Sequence, residues 1–229
     1  MADKKIVQTA CPTCKTVYSG IYTELPSQDV DMLSAHQSCE LYKKGSSFFH
    51  EGSRPNGIFF IHQGKVKIYK HGDGREQIIK IAKEGELLGY RAILAEEQFP
   101  VSAKTLEDCH LCFIPKHIFL EALLGSPAFS QKILKEACRE LDLMTGVLTH
   151  MAQKTVHERI VHTLLELSDI YGANPINLKR EDMAGLVGTA TETLIRFLSQ
   201  LKEAGWIEIQ GRKIRVVNKV EIKKFAKIY

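Results

Sequence analysis

The chain has 229 residues, 44% hydrophobic and 25% charged, too long for one ordinary small domain and too apolar for a disordered segment. No apolar run approaches the ~18 residues that a membrane span requires. The formal charge of +4 is unevenly placed: residues 1–151 hold 18 Lys+Arg against 18 Asp+Glu, whereas 152–229 hold 13 against 9. A neutral N-terminal module joined to a basic C-terminal one is the balance of a sensor attached to a polyanion binder, since phosphates are neutralised by Lys and Arg on one domain.

Residues 1–24 open without the apolar h-region of a secretory signal, so a reducing cytoplasmic setting is expected. In that setting the six cysteines read as ligands, redox groups or small buried hydrophobes rather than as a disulfide frame. Residues 25–120 are punctuated by glycine, and the short β-branched or aromatic runs Ile58 to Ile61, Val66 to Tyr69 and Ile78 to Ala82 predict a β-barrel or β-roll. Residues 121–152 change to helical period. Leu134, Ala137, Leu141, Met144, Leu148 and Met151 fall at steps of 3 and 4, an a/d seam whose simplest cover is a second copy of the chain.

Residues 153–229 predict three helices and a hairpin. Val156 to Ser168 is helical, Arg180 to Leu186 is a short helix stopped by Gly188, and Thr189-Ala190-Thr191-Glu192 matches a capping box opening a third helix to about Ala204. Trp206 to Ile209 and Lys213 to Val217 form a wing around Gly211. Two short helices joined by a glycine-containing turn, over about 179–203, describe a helix-turn-helix, whose second helix enters the major groove of double-stranded DNA. Thr191, Glu192, Ile195 and Arg196 are its outward positions. Arg196 can fork onto guanine and Glu192 can accept from a cytosine amino group, so the pair reads a G·C step. The alternative is that Glu192 completes the capping box and Arg196 pairs with it at i+4. Lys179, Arg180, Lys202, Arg212 and Lys213 are candidate phosphate contacts.

These residues resemble the CRP/FNR family of bacterial transcription regulators from about Leu25 onward. The resemblance implies an α+β chain: a cyclic-nucleotide-binding-type β-roll (jelly roll), a long dimerisation helix and a C-terminal winged helix-turn-helix. It further implies a homodimer on a palindromic operator, RNA polymerase as a partner, and neither enzymatic activity nor a membrane. Gly85-Glu86-Leu87-Leu88-Gly89 is similar to the family's phosphate-cassette turn, which places an effector pocket at Gly85, Glu86, Gly89, Tyr90, Val101 and Ser102. Tyr90 and Val101 stand where the cAMP-binding members carry Glu and Arg. Without the arginine a buried cyclic phosphate is uncompensated, so cAMP is not the expected ligand.

The stretch from Thr105 to Pro115 resembles the FNR branch more closely. That branch carries a [4Fe-4S] cluster on three N-terminal cysteines and one just before an Ile-Pro pair. Cys11, Cys14 and Cys112 match three of these ligands, and Gly20 occupies the place of the third N-terminal one. Either Cys39 or Cys109 substitutes, or another metal such as zinc is bound, or no metal is. Two rival classes stay open: a thiol-disulfide enzyme on Cys11-Pro12-Thr13-Cys14, which lacks the strand and helix that would activate it, and a nucleotide-regulated adaptor without DNA contact.

Overall fold

The computed structural model describes Tyr22, 25–72, Gly74 and 76–225. These residues form two compact units. One holds the described residues up to Lys70 together with Lys80–Glu140, the other His71–Ile79 with the described residues from Leu141. No helix among the described residues is long and apolar enough to cross a membrane.

The elements up to residue 125 are α1 (Ser27–Ala35), β1 (Ser38–Tyr42), β2 (Ser47–Phe49), β3 (Gly57–Gln63), β4 (Val66–His71), β5 (Glu76–Ala82), β6 (Leu87–Leu88), α2 (Tyr90–Leu94), β7 (Ser102–Thr105), β8 (Cys109–Pro115) and α3 (Lys116–Gly125); all belong to the first unit except the end of β4 at His71 and the part of β5 up to Ile79. The strands make two four-stranded sheets, ordered β1-β8-β3-β6 and β2-β7-β4-β5. The three runs expected as strands lie in β3, β4 and β5. Period-two alternation divides β3 and β8 between two cores. Ile58, Phe60, Cys112 and Ile114 face a core shared with Tyr22, Val30, Leu33, Phe119 and Phe129. Phe59, Ile61, Cys109 and Leu111 face the other, shared with Phe49, Val66, Ile68 and Ala103. β3 is therefore buried on both faces from Gly57 to Ile61, and it reads as a continuous apolar run for that reason.

The helix α4 (Pro127–Gln153) starts on a capping serine: the Ser126 hydroxyl accepts from the Phe129 amide at 3.1 Å and donates to the Asp29 carboxylate, with Pro127 pre-set for the first helical position. Of its expected seam, Leu134, Leu141 and Leu148 are 64%, 68% and 71% exposed, Met151 is exposed, and Ala137 and Met144 are half-buried.

The second unit contains α5 (Val156–Tyr171), α6 (Arg180–Val187), α7 (Thr191–Glu203), the hairpin β9 (Ile207–Gln210) and β10 (Lys213–Val216), and α8 (Lys219–Phe225). Its core is Ile160, Leu164, Met183, Leu194, Leu198 and Ile222. The His157 ring stacks on Phe197 at 4.2 Å. Ile176 adds an antiparallel bridge to Ile214, which widens the wing by one residue pair.

The opening of α7 differs from the expected capping box. Its N-cap is Ala190, with no side-chain cap bond. Thr189 is committed one step earlier, its amide donating to Ala184 O at 3.0 Å beside Gly188 N, which donates to the same carbonyl at 2.9 Å. Gly188 sits at φ 72°, so Thr189 belongs to the end of α6. The chain's capping box is on α5: Thr155 Oγ1 accepts from the Glu158 amide at 3.3 Å, while Thr155 N donates to Glu158 Oε2 at 2.8 Å.

Candidate functional site

The recognition surface is set by the amphipathic pattern of α7. Leu194, Phe197, Leu198 and Leu201 are buried, which turns Glu192, Ile195 and Arg196 outward as exposed residues, with Thr191 half-buried at the first turn. With the box absent, Glu192 is not held as a cap, and among the described residues no hydrogen bond or ion pair joins it to Arg196. The guanidinium and the carboxylate are both presented to solvent one turn apart.

The turn before α7 is held by Arg159 of α5. Its guanidinium donates to Val187 O at 3.1 Å, Gly188 O at 3.3 Å and Lys154 O at 3.1 Å. The carbonyls that a helix C-terminus leaves without helical partners are satisfied by one planar fork. No sequence signal marked Arg159; the Thr-x-x-Glu box just before it, which puts it one residue into α5's second turn, was the available clue.

The candidate phosphate contacts fall into two groups. Lys179, Lys202 and Lys213 are exposed. Arg180 and Arg212 have structural work as well: Arg180 donates to Arg212 O at 3.1 Å, and Arg212 Nε to Asn177 Oδ1 at 3.1 Å. Both line a shallow cleft of about 410 Å³ with Lys179, Glu181 and Gly211. The wing is thereby pinned beside the start of α6.

In the first unit, the expected effector-pocket residues divide. Gly89, at φ 90°, starts α2, and a Cβ there would meet the Phe99 ring at 3.0 Å. Glu86 and Tyr90 point into an internal ion network. Lys80 Nζ donates to Glu86 at 2.7 Å and to Glu140 at 3.0 Å, and the Tyr90 hydroxyl donates to Glu140 at 3.1 Å; Arg91 stands 3.5 Å from the same carboxylate. Burial opposes the Lys80 ammonium, yet Glu86 and Glu140 together hold its pKa above the ordinary value. Burial and the Glu140 charge push the Tyr90 hydroxyl well above its ordinary range. Gly85 donates its amide to Ile61 O. Val101 packs instead at the edge of the second core, and the Ser102 hydroxyl accepts from the Glu51 amide at 2.9 Å. The open cleft of about 910 Å³ on this unit is lined by other residues, among them Arg54, Phe99 and Lys116.

The structure places Cys39 and Cys109, the two candidate substitutes, on opposite faces of the first sheet. Cys39 is the direct register partner of Cys112 across β1 and β8, with Cα atoms 4.0 Å apart and the sulfurs joined as a disulfide. A disulfide was not expected. It arises because the cross-strand register puts both side chains on one face. Cys109, three residues before Cys112 on the same strand, faces the opposite core. Its thiol donates to Glu107 O at 3.2 Å and Lys65 O at 3.4 Å, and burial raises its pKa. Cys11 and Cys14 lie outside the described residues. Among the described residues no group of three or more His, Cys, Asp or Glu could hold a metal ion.

Comparison with known proteins agrees with this architecture. A cyclic nucleotide-binding domain model matches residues 39–125, and a Crp-like helix-turn-helix domain model matches 158–225. The chain is 25% identical over 222 residues to transcriptional activator protein FnrA of Stutzerimonas stutzeri, covering 93% of this chain and 91% of that one. It is 28% identical over 216 residues to the anaerobic regulatory protein of Haemophilus influenzae, covering 90% and 83%. The fold is similar to that of the c-di-GMP-responsive global regulator CLP of Xanthomonas campestris, with a TM-score of 0.74 at 23% identity, over 83% of this chain and 99% of that one. The two matched domains, in this order and over this much of the chain, make it a transcription regulator of the CRP/FNR family.

Proposed function

We propose that this regulator acts as a homodimer on a palindromic operator, with α7 of each copy in the major groove and a redox or oxygen signal received by the N-terminal unit. The observation that carries the DNA reading is the pair Glu192 and Arg196, exposed together one turn apart above a buried Leu194–Leu201 face. Arg196 is assigned to guanine and Glu192 to a cytosine amino group, with Thr191 and Ile195 flanking them. Lys179, Lys202 and Lys213, with Arg180 and Arg212, serve the phosphates and place the helix. The exposed Leu134, Leu141, Leu148 and Met151 stripe supports the second copy. Membership of the family supports RNA polymerase as a partner and a cytoplasmic location. The anaerobic regulators among the relatives support the redox branch. Against cAMP stand Tyr90 and Glu86, already committed to the Lys80–Glu140 network.

Titrating the protein against palindromes whose half-site G·C pair is systematically replaced tests the assignment. Arg196→Ala is expected to lose ~10-fold or more for the preferred pair and to bind all variants alike, since one bidentate contact carries about 1–3 kcal/mol of discrimination. Lys213→Ala is expected to weaken every sequence equally and lower the salt slope by about one. An unchanged sequence preference in Arg196→Ala removes the assignment.

A further inference from the structure

We propose that His150 and His162 are a proton-operated latch on the corner between α4 and α5: neutral, the two rings pack and the corner is closed; doubly protonated, they repel and loosen the turn that Arg159 holds ahead of α7. Its output, weaker operator binding in acid, rests on the proposed DNA reading.

Both rings belong to the second unit. His150 lies in the last turn of α4 and His162 in α5. Across the corner formed by Lys154 and Thr155 the rings meet edge-on, with centroids 4.2 Å apart, and each residue is half-buried. His150 faces His162 and Glu166 of α5, and Lys154 of the link between the helices. His162 faces the Glu166 carboxylate, 3.4 Å from its Nδ1. Arg159, one turn earlier on α5, is turned to backbone carbonyls instead.

A first proton on the pair can rest on His162 against Glu166. A second sets two imidazoliums in ring contact beside the Lys154 ammonium, with Glu166 already used, and like charges at that separation repel strongly where water is partly excluded. Burial and the neighbouring ring hold the His150 imidazole below its ordinary pKa. The fold therefore favours the neutral form, whose contribution is complete above about pH 6.5, the ordinary histidine value, and is lost as pH falls below it.

Hydrogen bonds join this corner to the turn before the recognition helix. Lys154 N donates to His150 O at 3.0 Å. Lys154 O accepts from the Arg159 guanidinium, which also donates to Val187 O and Gly188 O at the end of α6. A planar fork passes a displacement of the corner to those two carbonyls, and they set the entry to α7.

The test follows protonation, melting and binding on the full chain. Histidine ring-carbon labelling reports each imidazole by NMR, with His150→Gln and His162→Gln supplying the assignments. The His150 midpoint is expected to move to higher pH in His162→Gln. Wild-type operator affinity is expected to fall at least ~5-fold further than that of His150→Phe between about pH 7.5 and about pH 5.5, with a matching difference in melting temperature. His150→Phe keeps an edge-to-face ring without a titrating proton, and His150→Gln keeps a neutral polar group. Both are expected to hold the wild-type affinity at the higher pH. An unmoved His150 midpoint in His162→Gln, or wild-type binding and melting profiles that run parallel to those of both His150 variants, overturns the proposal. Coupled titration with the acid-dependent melting difference, in a protein that binds no operator at either pH, instead sinks the regulator reading and leaves the latch standing.

Discussion

Glu140 is the residue on which the network in the first unit depends. Its side chain is 11% exposed and accepts from both Lys80 and Tyr90. Truncating one member of a buried ion pair leaves the other's charge undercompensated. Glu140→Ala is therefore expected to cost about 2–3 kcal/mol in urea denaturation, more than a surface carboxylate would. The same contacts give a pH dependence. Lys80 and Tyr90 both hold their protons more tightly folded than unfolded. Their contribution is complete below about pH 10 and is lost as pH rises beyond it. The denaturation midpoint is expected to fall above pH 10, and to fall less steeply in Glu140→Gln; parallel profiles for the two proteins would contradict the assignment. The sequence alone did not show this network, because Glu140 is 50 residues from Tyr90 and nothing local marks it as a partner.

At the scale of elements, period and punctuation were legible and caps were not. The buried stripe of α7 and the wing about Gly211 follow from alternation that the chain itself displays. The seam of α4 likewise lies on the face where Leu134, Leu141 and Leu148 are exposed. The sequence contains Thr-x-x-Glu at Thr155 and again at Thr189, and only the first is a capping box. The second fails because α6 ends on Gly188 and uses Thr189 for its own last hydrogen bond, a competition between neighbouring helices that the four-residue pattern does not encode. Cross-strand partnership is hidden in the same way: Cys39 and Cys112 are 73 residues apart, and register alone joins them. Arg159 offers the test at this scale. Replacing it with Met removes three hydrogen bonds to Lys154, Val187 and Gly188 carbonyls, and Lys can restore only part of the fork. Arg159→Met is expected to lose about 2 kcal/mol of stability and to weaken operator binding with unchanged base preference, read by the same titration used for Arg196. A shifted preference would mean that the arginine does more than hold the turn.

For the whole molecule, the stripe of leucines on α4 makes a prediction about mass. Charges at Leu141 and Leu148 would face one another across a two-stranded seam, where burial of like charge is prohibitive. Leu141→Glu combined with Leu148→Glu is expected to give a particle of half the wild-type mass by sedimentation, with operator affinity reduced by ~100-fold or more as the two half-sites are no longer bound together. A double variant that keeps the wild-type mass would place the dimer contact elsewhere.

The fastening of the wing has a consequence for redesign. Arg180 reaches it through the carbonyl of Arg212, at 3.1 Å, with Gly211 O at 3.5 Å, and every amino acid carries a carbonyl. Only Gly211, at φ 58°, is tied to its identity by backbone conformation. The Lys213 side chain takes no part in that fastening, whereas Arg212 also donates to Asn177 Oδ1 at 3.1 Å; the charge at 213 can thus be changed while Arg180 keeps the hairpin in register, so the proposed phosphate grip can be strengthened or weakened without disturbing α7.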